Sequence, residues 1–116
     1  MRVLVVDDSQ AVRTRLLSLM REVAGLVLSE AADAEEALAA LRAHGADVVV
    51  LDLHMPGRSG IDILPEIKAL VPAPIVVMLT ADPTDHHRRL SLSRGADFFF
   101  DKATDFALVL ELLRPA

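Results

Sequence analysis

Val48-Val49-Val50-Leu51-Asp52-Leu53-His54-Met55-Pro56-Gly57-Arg58-Ser59-Gly60 is the stretch on which the fold of this chain turns. Four consecutive aliphatic residues, three of them β-branched, read as a short strand buried on both faces, the pattern of a parallel sheet. A turn-rich loop follows it. Between the two stands Asp52, and an aspartate that closes an apolar strand has few structural duties. The arrangement recurs along the chain. Asp7 and Asp8 follow Val3-Leu4-Val5-Val6, Thr80 follows Ile75-Val76-Val77-Met78-Leu79, and Lys102 follows Phe98-Phe99-Phe100 after one aspartate. If these strands are parallel, Asp7, Asp8, Asp52, Thr80 and Lys102 converge at one edge of the sheet. Three carboxylates, a hydroxyl and an ammonium in one place make a site for a divalent cation and a phosphoryl group.

The segments between these strands carry helical periodicity. Val12, Leu16, Leu19, Met20 and Val23 recur at helical spacing, which predicts a first helix over about Ser9 to Val23. Gly25 ends it, and Leu26 to Glu30 forms a more polar strand suited to a sheet edge. A second helix is expected from an Asp33 cap, with Glu36 as its capping-box partner, through Ala43 to a stop at Gly45. A third covers Ile61 to Leu70, with Pro65 inside it predicting a bend or a late start. Asp82 followed by Pro83 is expected to open the fourth helix as N-cap and first position, running to Arg94 and Gly95. Asp97 to Asp101 is the fifth strand, and Thr104 is expected to cap a last helix carrying Leu108 and Leu112. Strict βα alternation implies a parallel sheet with helices on both faces and right-handed crossovers. In such sheets the ligand site lies beyond the carboxyl ends of the strands.

Bulk properties narrow the function. With 116 residues the chain makes one domain, taken as 1–116, large enough for a core without staples. The absence of cysteine excludes a disulfide framework, a thiolate zinc site and a cysteine nucleophile, and fits a cytoplasmic protein. The hydrophobic fraction is 53%, yet no apolar run approaches the ~20 residues needed to span a bilayer, so no membrane is expected. A net charge of -5 argues against direct nucleic-acid binding. The one basic cluster, His86-His87-Arg88-Arg89, reads as the solvated face of a helix or as a recognition patch.

In four motifs the chain resembles the receiver domain of two-component response regulators, the CheY-like superfamily. They are Asp7-Asp8-Ser9 with Arg13 and Leu16 downstream, Asp52 to Gly57 with Gly60, Leu79-Thr80-Ala81, and Gly95-Ala96-Asp97 followed by Lys102. The resemblance covers essentially the whole chain and implies a flavodoxin-like (βα)5 doubly wound fold with strand order 2-1-3-4-5. It implies Mg2+ held by Asp8, Asp52 and the backbone carbonyl of His54, with Asp7 contributing mainly through water. Mg2+ suits such a site because it prefers oxygen ligands and relieves the repulsion of clustered carboxylates. Asp52 is then the phosphoacceptor, Thr80 and Lys102 bind the phosphoryl oxygens, and Thr80 with Phe99 forms the switch. The implied phosphoryl donor is a sensor histidine kinase or a histidine phosphotransfer protein. The output is a downstream protein target or a phosphorylation-dependent homodimer, and the enzymatic activity is confined to the chain's own phosphotransfer and autodephosphorylation. The chain resembles a stand-alone regulator or a piece of a larger one. Three residues depart from the family pattern: Ala103 stands where proline is usual after the lysine, and His54 and Asp82 occupy the second positions after Asp52 and Thr80.

Taken one at a time these residues have plainer readings. Asp8 or Ser9 could cap the first helix, Thr80 could be an ordinary strand end, and Lys102 a solvated lysine. Phe99 could be core only, as Phe98 and Phe100 are expected to be, and His54 a surface histidine. A haloacid-dehalogenase-type phosphatase would place a second aspartate where His54 stands. A flavodoxin-like FMN protein would want a Ser/Thr/Gly-rich loop in place of Asp7-Asp8-Ser9. A degenerate receiver acting as a phosphorylation-independent binding module stays open.

Overall fold

The computed structural model describes residues 1–115, in which strand and helix alternate from end to end. The elements are β1 (Arg2–Val6), α1 (Gln10–Met20), β2 (Val27–Ala31), α2 (Ala34–His44), β3 (Val48–Leu51), α3 (Gly60–Lys68), β4 (Ile75–Thr80), α4 (Asp85–Ser93), β5 (Phe98–Asp101) and α5 (Phe106–Leu113). All four strand pairings are parallel and the order is β2-β1-β3-β4-β5, the flavodoxin-like order expected from the resemblance. β1, β3 and β4 lie inside the sheet, and their apolar runs are buried almost throughout. β2, at the edge, is largely exposed.

Because side chains alternate along a strand, the sheet feeds two cores. One face joins Leu4, Val6, Val49, Leu51, Val76, Met78 and Phe99 to α2 and α3, with Leu90 of α4 packed against it. The other joins Val3, Val5, Val48, Val50, Val77 and Leu79 to α1 and α5. The three consecutive phenylalanines divide accordingly. Phe99 is buried on the first face, while Phe98 and Phe100 are half-buried on the second, stacked with ring centroids 5.9 Å apart.

Several local expectations are corrected. The fourth helix is capped by Thr84, whose side chain accepts from the His87 N–H, not by Asp82; Pro83 lies ahead of the helix. The fifth begins after Asp105 rather than Thr104, and the Asp105 carboxylate accepts from the Asp101 N–H instead of capping. Along α5, Val109 and Leu113 are buried whereas Leu108 and Leu112 face solvent. α1 ends at Met20, with Val23 buried in the turn beyond it. At α2 the Asp33 carboxylate accepts from the Glu36 N–H, but the reciprocal capping box is formed at α3, between Ser59 and Asp62. Pro65 does not delay α3, which starts five residues earlier at Gly60.

Gly60 itself is fixed by a close approach. A Cβ there would sit 2.1 Å from the Asp52 carbonyl oxygen, and the Gly60 N–H donates to Leu53 O at 3.0 Å. The first turn of α3 is thereby seated against the backbone of the residue that the sequence singles out.

Candidate functional site

Three strands deliver the acidic pocket. The Asp7 N–H donates to Ala31 O at 3.2 Å and the Asp52 N–H to Val6 O at 2.9 Å, so both residues extend their ladders by one step. Both are buried, and Asp8 next to them is exposed. Carboxylate oxygens of Asp7, Asp8 and Asp52 lie within 4.8 Å of one another. Thr80 ends β4, and its backbone carbonyl accepts from the Lys102 N–H at 2.9 Å. This bond aims the Lys102 side chain inward. Its Nζ donates to Asp7 Oδ2 and lies 3.3 Å from Asp52 Oδ1.

Asp7 is held from several sides. The Ser9 N–H donates to its carboxylate at 2.9 Å, and Arg13 Nη1 donates to its carbonyl at 2.6 Å. Arg13 Nε also donates to Glu30 Oε1 at 2.9 Å, which ties α1 to β2 beneath the pocket. Read as a polar position on α1, Arg13 hides this role. Its placement one turn after the Ser9 cap was the available clue, since that position points back toward the strand end.

The electrostatics single out Asp52. Burial, reinforced by the charge of Asp7, pushes its carboxyl up to about 6 from an ordinary 3.8, against the opposing pull of Lys102 and the His54 backbone N–H. Burial also pulls the Lys102 ammonium down, but its hydrogen bond to Asp7 and the charges of Asp52 and Asp7 outweigh this and raise it overall. One ammonium therefore does not compensate three carboxylates. The donor set is oxygen only, and Asp52 in it is deficient in positive charge, which is the environment a hard divalent cation such as Mg2+ fits.

Thr80 and Phe99 stand apart from this cluster. The fully buried Thr80 hydroxyl accepts from the Asp82 N–H at 3.0 Å rather than reaching Lys102 or Asp52. The register pairs Met78 with Phe99 and Thr80 with Asp101, so Thr80 and Phe99 are diagonal neighbours on one sheet face. The Ala103 N–H donates to Asp101 Oδ1 at 2.8 Å, a bond that proline at this position could not make. His54 turns its imidazole to Asp82.

Residues 3–114 match the family model of the response regulator receiver domain. The chain belongs to that family. This receiver domain is 44% identical over 96 residues to a protein-glutamate methylesterase/protein-glutamine glutaminase of Anaeromyxobacter dehalogenans, covering 82% of the chain and 28% of that protein. It is 37% identical over 84 residues to the transcriptional regulatory protein PdtaR of Mycobacterium tuberculosis, covering 72% of the chain and 41% of that protein. It thus spans less than half the length of these curated relatives. Among solved structures it resembles the response regulator TrrA of Thermotoga maritima in complex with Mg2+ and BeF, with a TM-score of 0.84 at 34% identity, covering 97% of this chain and 95% of that one. A LuxR-family response regulator of Aurantimonas gives a TM-score of 0.90 at 29% identity, covering 97% and 81%. A receiver domain is a phosphorylatable signalling switch, as the motifs led one to expect. No helix among the described residues is long and apolar enough to cross a membrane.

Proposed function

We propose that Asp52 is the phosphoacceptor of this switch, on the single observation that it is buried between Asp7 and Lys102 with its carboxyl raised to about 6. At neutral pH such a group is mostly ionised and therefore nucleophilic, yet its charge is poorly solvated. Its oxygen attacks the phosphorus of a phosphohistidine, forming the O–P bond of an acyl phosphate as the N–P bond breaks and the imidazole leaves. Asp8, Asp52 and the His54 backbone carbonyl, with Asp7 contributing through water, would hold Mg2+, which would supply positive charge to offset the carboxylates and the phosphoryl group. Lys102 transfers its ammonium from the carboxylates to a phosphoryl oxygen. Thr80, whose oxygen already accepts from Asp82, donates its hydroxyl proton to another.

Drawing Thr80 toward the phosphoryl group frees space beside Phe99 on the same sheet face, and the change reaches the side formed by α4, β5 and α5. That side carries the exposed Leu92, Leu108 and Leu112 with Arg88 and Arg89. It is the surface for a downstream protein or a second copy of the chain. In this reading residues 1–116 are one receiver domain, cytoplasmic, supplied by a sensor histidine kinase or a histidine phosphotransfer protein. It turns over no substrate but its own aspartyl phosphate and contacts neither nucleic acid nor membrane. Incubation with acetyl phosphate and Mg2+, read by intact mass, should add one base-labile phosphoryl group. EDTA should prevent the addition, and equal labelling of Asp52→Asn would remove Asp52 from this role.

A further inference from the structure

Asp82 does not cap α4, because its carboxylate is engaged elsewhere. Asp82 Oδ2 lies 3.1 Å from His54 Nε2 and 3.4 Å from His87 Nδ1, and among the described residues its ion-pair partners are these two imidazoles. The three ligand atoms lie within 4.8 Å of one another, and the two rings meet edge to face with centroids 5.2 Å apart. We propose that His54, Asp82 and His87 form a second metal site, distinct from the carboxylate pocket, which takes a borderline transition cation of the Zn2+ class. A tetrahedral ion with ligands at about 2.0–2.1 Å sets them about 3.3–3.4 Å apart. The His87–Asp82 edge, at 3.4 Å, already has this length, and the His54–Asp82 edge, at 3.1 Å, is slightly shorter. Two imidazole nitrogens and one carboxylate oxygen suit zinc, nickel or copper, whereas the all-oxygen pocket around Asp52 suits magnesium, so the two sites select different ions. Three protein ligands leave one coordination position open, and the exposure of His54 and Asp82 provides a way in.

The location gives the ion leverage. His54 belongs to the loop after β3, two residues beyond Asp52; Asp82 to the loop after β4, two beyond Thr80; and His87 to the first turn of α4. An ion shared among them fastens α4 to the loop that follows Asp52. The competing account is a pair of surface hydrogen bonds, one between His54 Nε2 and the Asp82 carboxylate at 3.1 Å and one from His87 Nδ1 to the Asp82 backbone carbonyl at 3.0 Å, and metal titration separates the two.

Metal-free chain is titrated calorimetrically with Zn2+ in the presence of excess Mg2+ and without a phosphoryl donor, so the result is independent of any labelling of Asp52. One equivalent should bind, Co2+ in its place should show the visible d–d bands of a tetrahedral ion, and saturating Zn2+ should raise the melting temperature. His54→Ala and His87→Ala should each weaken binding by more than about tenfold while melting cooperatively, and Asp82→Asn should do the same. His44→Ala and Asp52→Asn should bind as the parent does. Absence of binding overturns the proposal, as does binding that only one of the two histidine variants affects. Displacement by Mg2+ or loss in Asp52→Asn overturns it too, because either outcome puts the ion in the carboxylate pocket.

Discussion

The two ends of the sheet differ in a way that cavity size would misjudge. A cavity of about 750 Å3 lies at the amino-terminal end, lined by Arg2, His44, Asp47, Leu70 and Pro72 among others. There the single aspartate is exposed and its carboxylate accepts from the Arg2 N–H at 2.7 Å, while Arg2 Nη1 donates to His44 O at 2.5 Å. At the carboxyl end no comparable hollow exists among the cavities described, yet two aspartates are buried against a third with one ammonium between them. Charge held out of water marks the carboxyl end; concavity marks the other. The proposed ligands, an ion and a small phosphoryl group, need no hollow of the size a drug-sized molecule fills.

The sharpest way to break this contrast is to remove one carboxylate from each end. Asp52→Asn should abolish phosphoryl labelling outright, whereas Asp47→Asn should label fully, and a loss in both would erase the distinction between the ends. Next in size is Gly60→Ala, whose Cβ would overlap the Asp52 carbonyl. It should cost about 3 kcal/mol, read as a lower denaturation midpoint, since backbone must move to admit it. The third effect is a pH signature. The Asp52 carboxyl is raised to about 6, so the fold favours its neutral form; the contribution of this group to stability is greatest below the ordinary value near 3.8 and is lost as the pH rises through about 6. In EDTA, Asp52→Asn should therefore stabilise the chain by about 2–3 kcal/mol above pH ~6, with the gain gone below pH ~4, while Asp47→Asn should show no such dependence. Smallest is Ser91→Ala in α4. The Ser91 hydroxyl is buried without a hydrogen-bond partner among the described residues, and removing it should stabilise by about 1 kcal/mol in thermal melts.

The strands and the residues at their ends were legible because each apolar run stops abruptly at a polar group. The convergence of Asp7, Asp8, Asp52 and Lys102 follows from parallel order alone. Helix caps were less legible where two candidates stand close together. Asp82 and Thr84 are both good caps, and Thr84 takes the role while the Asp82 carboxylate is engaged by two histidines, one of them, His54, far away in sequence. Thr104 and Asp105 present the same ambiguity. The buried face of α5 could not be read either. Phe106-Ala107-Leu108-Val109-Leu110-Glu111-Leu112-Leu113 is apolar almost all round, so Leu108 with Leu112 and Val109 with Leu113 have the same period, and only docking on β5 selects between them. His87 escaped notice as one of four basic residues in a row; its partner Asp82 is close in sequence, but His54 comes near only through the fold.

The Lys102 ammonium between Asp7 and Asp52 has a consequence for the order of assembly. It lowers the pocket from three negative charges to two before any ion arrives, so the native shape does not depend on a metal template. Under the proposed function, the chain folds first and binds its cation afterwards. An EDTA-treated sample should accordingly melt in one cooperative step, fully folded and unresponsive.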